Sequence, residues 1–159
     1  MRKIDQLLSE YGESHRNETN KLIHWICVPL IFFSIVGLVW SIPSTLLSEA
    51  FPWAGAFANW ATVILLLVLV YYLTLSPPLF FGMVVWSAIC LYGVFLLDQV
   101  ALAPLWAICL TIFFLAWVGQ FYGHKVEGKK PSFLKDLQFL LIGPAWLMHF
   151  IFKKLSLPY

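Results

Sequence analysis

Charge is what this chain lacks. Of its 159 residues, 61% are hydrophobic and only 11% charged, against about 25% charged in an ordinary soluble domain. Between Lys21 and Lys125 only Glu49 and Asp98 carry charge. Such a chain cannot cover its surface with polar groups in water, which excludes a soluble globular domain and makes lipid its solvent over most of its length. Long basic runs with polar neighbours are missing too, which argues against nucleic acid as a partner. The three cysteines, Cys27, Cys90 and Cys109, make no CxxC pair and lie in apolar segments. They read as small buried hydrophobes, not a disulfide or zinc framework. No HExxH is present, which disfavours a zincin protease. Four histidines without an HxxHH cluster are too few for a di-iron centre of the histidine-box type. They lie at the ends of the spans, whereas a b-type haem between helices would want them well inside. No Ser/His/Asp arrangement, internal repeat or cleavable signal is readable; the first apolar stretch begins near Leu22, after an acid-containing leader, and reads as a retained span.

What is present is a set of apolar segments of membrane-crossing length. Four lie near the ~20 residues a bilayer core demands: Leu22–Trp40, Asn59–Leu75, Leu79–Leu97 and Leu102–Tyr122. Ahead of them, Ile4, Leu7, Leu8 and Tyr11 form an i, i+3, i+4, i+7 stripe, which predicts a short amphipathic helix at the interface, stopped near Gly12. A last apolar stretch, Phe133–Phe152, within the segment 133–154, is interrupted by Gly143-Pro144 and followed by Lys153-Lys154. It is expected to fold back as a re-entrant or interfacial helical hairpin, with Ser132 as N-cap and Pro144 opening the second half. The expected architecture is therefore one all-α membrane domain over 1–159: a leader (1–21), about four transmembrane helices (22–122), a loop (123–132) and the hairpin. All ten Lys and Arg lie in 1–21 or 125–154. An even number of spans puts both clusters on the cytoplasmic side, of a bacterial inner membrane or the endoplasmic reticulum.

That topology also collects the histidines. His15, His24, His124 and His149 all fall near the cytoplasmic interface, although they come from distant segments. Imidazole is the commonest metal ligand, and a site needs three or four such groups converging. We read the four as metal ligands in preference to interfacial anchors. His15 and His24 would face opposite ways on one straight helix, so the chain must bend between them, with Asn17 or Thr19 capping a new helix. Asn20 and Gln120, each one turn before a histidine, suit hydrogen-bonding support around the ligands. Gly119-x-x-x-Gly123 permits close helix approach beside His124, within the chain or in a homo-oligomer. Glu13, Glu18 and Glu127 read as solvated surface groups.

The segment His15-Arg-Asn17-Glu-Thr-Asn20-Lys-Leu-Ile-His24-Trp-Ile-Cys-Val-Pro29 resembles the N-terminal signature of the Mpo-type 2-hydroxy fatty acid dioxygenases. Gln120-Phe-Tyr-Gly-His124, followed by Pro131 and Gly143-Pro144, is similar to their second motif. The resemblance covers nearly the whole chain. It implies a membrane enzyme dependent on iron(II), although another divalent transition metal would suit the same donors. It implies α-oxidation: dioxygen cuts a 2-hydroxy long-chain fatty acid between C1 and C2, leaving the acid one carbon shorter. It carries metal-site roles to His15, His24 and His124. Lys125, Lys129 and Lys130 would steer the substrate carboxylate toward the site. Membrane lipid is the remaining expected partner. The competing reading is a non-enzymatic lipid-binding or scaffold membrane protein with interfacial histidines. A small transporter is weaker, because the spans offer few polar groups at the midplane.

Overall fold

The computed structural model describes residues 2–100, 102–129 and 138–158. Among these it is helical, with no strand. Helix α1 (Lys3–Gly12) carries the leader stripe, and Ile4, Leu7, Leu8 and Tyr11 are all buried. They pack against Ile142, Trp146 and Leu147 of the last helix. The amphipathic face is thus covered by protein.

Helix α2 (Glu18–Trp40) starts where a cap was expected. The Asn17 side chain accepts from the backbone N–H groups of Thr19 (2.9 Å) and Asn20 (3.3 Å), satisfying donors that the first helical turn leaves open. Beyond α2, the Pro- and Ser-containing stretch forms a short helix α3 (Thr45–Ala50) and a 3₁₀ turn (Pro52–Phe57). Helix α4 (Trp60–Leu75) is capped by Asn59, and α5 (Pro77–Val100) opens on the proline pair after Ser76, where a missing N–H costs nothing. Helix α6 (Leu105–Glu127) ends at Gly128, whose φ of 73° is the left-handed cap glycine favours. Helices α2, α5 and α6 are long and apolar enough to cross a membrane. The fourth expected span, α4, is apolar but has 16 residues, about 24 Å of helix.

Helix α2 is the hub, packing on α4, α5, α6 and the last helix, α7 (Gln138–Lys154). It runs antiparallel to α6 in a seam that small residues hold close. A Cβ on Gly119 would lie 2.6 Å from Sγ of Cys27, and one on Gly123 would collide with Oδ1 of Asn20. The Gly-x-x-x-Gly pair therefore serves packing inside the chain.

The last helix corrects one expectation. Gly143-Pro144 does not break the chain: α7 runs continuously over Gln138–Lys154 with Pro144 inside it. The first part of the expected hairpin, with Ser132, lies outside the described residues. A proline within a helix frees backbone groups that neighbours must satisfy. The carbonyl that loses its helical donor is that of Leu140; the adjacent Leu141 carbonyl accepts from the Tyr72 hydroxyl of α4 at 2.6 Å. Gly143 lets Tyr11 come close, since a Cβ there would sit 3.0 Å from its hydroxyl. Residues Ile142 to Leu147 are all buried. Helix α7 lies across one end of the bundle, touching the last turns of α4 (Tyr71, Tyr72), the first turns of α5 (Leu79, Gly82) and α1.

Candidate metal centre

Beneath α1 and α7, at the start of α2 and the end of α6, three histidines meet. His15, His24 and His124 are buried, at 2%, 0% and 4% exposure. One nitrogen from each lies within 4.8 Å of the other two. Ring centroids stand 4.2 Å apart for His15–His24, 4.9 Å for His24–His124 and 5.0 Å for His15–His124, with planes 71° to 90° apart. Ligands at ~2.1 Å from a shared ion lie at most ~4.2 Å from each other. Small side-chain rotations suffice to close the set on one metal.

The hydrogen bonds select which nitrogens face inward. Nδ1–H of His24 donates to the Asn20 carbonyl (2.8 Å), and Nδ1–H of His15 to the Tyr11 carbonyl (2.5 Å). A carbonyl only accepts, so both Nε2 atoms are left with a lone pair, the tautomer a metal requires. Those Nε2 atoms, and Nδ1 of His124, are buried and make no hydrogen bond within the protein. Buried polar nitrogens without partners are costly, and one on each of three histidines whose rings cluster this closely fits a cation. Burial is the main cause that holds the His15 imidazole below its ordinary pKa, against the opposing pull of the Tyr11 carbonyl and the Glu127 charge. A neutral ring is the form that ligates.

His15 belongs to neither helix that flanks it, and its placement depends on groups around the 13–17 loop. Its ring stacks on Tyr11 (4.2 Å, 11°) and lies 5.2 Å from Trp146. Glu127 holds the loop from the far side. Its carboxylate accepts from the backbone N–H of Arg16 (2.9 Å) and Asn17 (2.8 Å) and from Nδ2 of Asn20 (3.1 Å). Asn20 also donates to the Ser14 carbonyl at 3.1 Å. Sequence reasoning took Glu127 for a solvated acid. The available signal was its position three residues after His124, on the face of α6 that carries Gln120 and His124.

The other expected site residues fall as follows. Gln120 is buried and stands beside His24, although it precedes His124 by one turn. His149 is not in the convergent group; its ring packs on Phe150, and Asp5 and Lys153 are its charged neighbours. Lys129 donates to the Glu13 carbonyl at 2.7 Å, a second tie on the same loop. Lys125 is exposed, and Lys130 lies outside the described residues.

A cavity of about 150 Å³ opens from the cluster. His15, Gln120 and His124 line its head. Apolar residues of α2, α4 and α7, with Trp117 of α6, line the rest. The arrangement joins a set of metal donors to a space that suits hydrocarbon.

No curated protein matches the chain, and no solved structure does. One family matches residues 1–155, under the description 2-hydroxy-palmitic acid dioxygenase Mpo1-like. With that match over nearly its full length, the chain belongs to the Mpo1-like family.

Proposed function

We propose that this protein is an iron(II)-dependent dioxygenase of 2-hydroxy long-chain fatty acids, working at the cytoplasmic face of the membrane. The observation that carries this reading is the cluster of three buried histidines, each with an unpartnered ring nitrogen, beside the head of an apolar cavity. Imidazole donors suit iron, zinc, copper or nickel, but zinc has no redox chemistry and an O2-consuming reaction needs it. Bound iron(II) would supply the one-electron steps by which a closed-shell acid reacts with dioxygen. The net change balances without a further reductant. The C1–C2 bond breaks, the two carbons give up four electrons, and one O2 takes them. The products are the acid one carbon shorter, CO2 and water.

The protein's own part is orientation and exclusion. The Tyr11 and Asn20 carbonyls fix two imidazoles as ligands. Tyr11 and Trp146 cover His15 with rings and keep water away. Three histidines leave coordination positions for a chelating carboxylate and hydroxyl and for O2. Gln120, at the cavity head, supplies an amide N–H for the substrate's polar end.

The test is metal analysis and turnover of 2-hydroxypalmitic acid by purified protein. Wild type is expected to bind one iron and to release the acid one carbon shorter under O2. His24→Ala and His124→Ala lose both metal and product, whereas His149→Ala keeps the metal. Iron-loaded protein that never forms the shorter acid would falsify the activity. Protein that binds lipid but no metal would favour the scaffold reading.

A further inference from the structure

We propose that the cavity is a length gauge for an unbranched acyl chain, with Ala61 as its floor. This rests on the reading above for what sits at its head. The walls give the direction. Helix α2 presents Val28, Ile31, Ile35 and Val39 to the cavity in turn, about 16 Å along one helix face. Helix α4 runs the other way and reaches the same depth at Ala61.

The deepest lining residues, Val39 and Ala61, thus lie at the helix ends remote from the histidines. Packed side chains stand at the far end. Ala61 is 2% exposed, and the next residue of α2, Trp40, packs its ring against Phe57 (5.7 Å) and Phe95 (6.4 Å). Below Gln120 the lining is apolar, apart from the Trp117 indole. A polar group along the tail would be buried there without a partner. A straight hydrocarbon tail fits, and its terminal methyl meets a wall. An extra methylene against such a wall is worth about tenfold or more in discrimination.

The test uses 2-hydroxypalmitic acid bearing a terminal diazirine, photolysed on the purified full-length protein and mapped by peptide mass spectrometry. Adducts are expected near Val39 on α2 and near Ala61 on α4. Adducts at Tyr11 and His15, or on exposed lipid-facing residues such as Leu66 and Leu67, overturn the proposal. Ala61→Phe raises the floor. In competition against the probe, the longest 2-hydroxy acids that wild type accepts lose about tenfold or more, while shorter ones are unaffected. Val39→Ala lowers the floor and extends the accepted length, so the gauge stays testable if the larger side chain prevents folding. An unchanged length profile in either folded variant also overturns it. Labelling requires no turnover. Floor adducts in a protein that never forms the shorter acid would sink the dioxygenase reading and leave the gauge. Product formation with adducts elsewhere would do the reverse.

Discussion

Glu127 shows how one residue outside the three-histidine cluster holds the loop that brings His15 to it. The loop bearing His15 has no helix of its own to fix it. Its amides at Arg16 and Asn17 converge on the Glu127 carboxylate, and the Asn20 side chain adds a third bond. Charge-assisted bonds of this kind are about twice as strong as neutral ones. They also place a negative charge at the start of α2, where the helix dipole favours it. Glu127→Ala should therefore leave the helices intact and loosen the loop. We expect metal affinity to fall about 10–100-fold, as for groups that orient ligands without touching the metal. Glu127→Gln, which still accepts through its amide oxygen, should fall between. Metal titration beside far-ultraviolet circular dichroism separates this from unfolding. Wild-type affinity in the alanine variant would remove Glu127 from the site.

At the scale of elements, the α2–α6 seam sets the distance between His24 and His124. Gly123 faces Asn20, which is fully buried and bonded on both sides of the seam. Gly123→Ala must push that amide or spread the helices. The expected cost is about 1–3 kcal/mol, the range for overpacking a tight contact, read as a lower thermal midpoint in detergent. An unchanged midpoint would mean the seam yields freely. This seam was legible in the sequence, because Gly119-x-x-x-Gly123 announces close approach whatever the partner. The bend between His15 and His24 was legible for a similar reason: nine residues on one straight helix could not bring both rings together. The continuity of α7 was not. Gly143-Pro144 reads locally as a break, and the contacts that brace α7 there, such as the Tyr72 hydroxyl on the Leu141 carbonyl, come from a helix far away in sequence. Nor did the burial of α1 show, because an i, i+3, i+4, i+7 stripe looks the same against lipid as against α7. Local periodicity names an apolar face but not what covers it. Glu127 stayed hidden for that reason, since its acceptors' partners lie about 110 residues earlier in the chain.

For the molecule as a whole, α7 bears on which chain segments share one end of the bundle. If α7 crossed, the lysines at its end would be remote from the start of α2. They are not: Lys153 and Lys154 share a surface groove with Glu18, Lys21 and Trp25. The other end of α7 is tied to the last turns of α4, where Gln138 donates to the Tyr71 hydroxyl. Asp5, on the polar face of α1, is a charged neighbour of His149. Both ends of α7 therefore lie at the end of the bundle that carries the histidines. A helix bearing Lys3, Asp5 and Glu10 alongside it belongs at an interface, not in hydrocarbon. At the opposite end, Trp40 donates to Asp98 at 3.4 Å and Trp60 to the Pro43 carbonyl at 3.1 Å, the position expected of interfacial tryptophans. The native cysteines are buried, so single introduced cysteines can report sidedness. In sealed inside-out vesicles, Ser9→Cys and Ser156→Cys should react with an impermeant maleimide, and Ser48→Cys only after the vesicles are opened. If Ser156→Cys instead behaves like Ser48→Cys, α7 crosses the membrane and the number of spans is odd. If all three patterns invert, the basic ends face outward and the positive-inside bias has misled us.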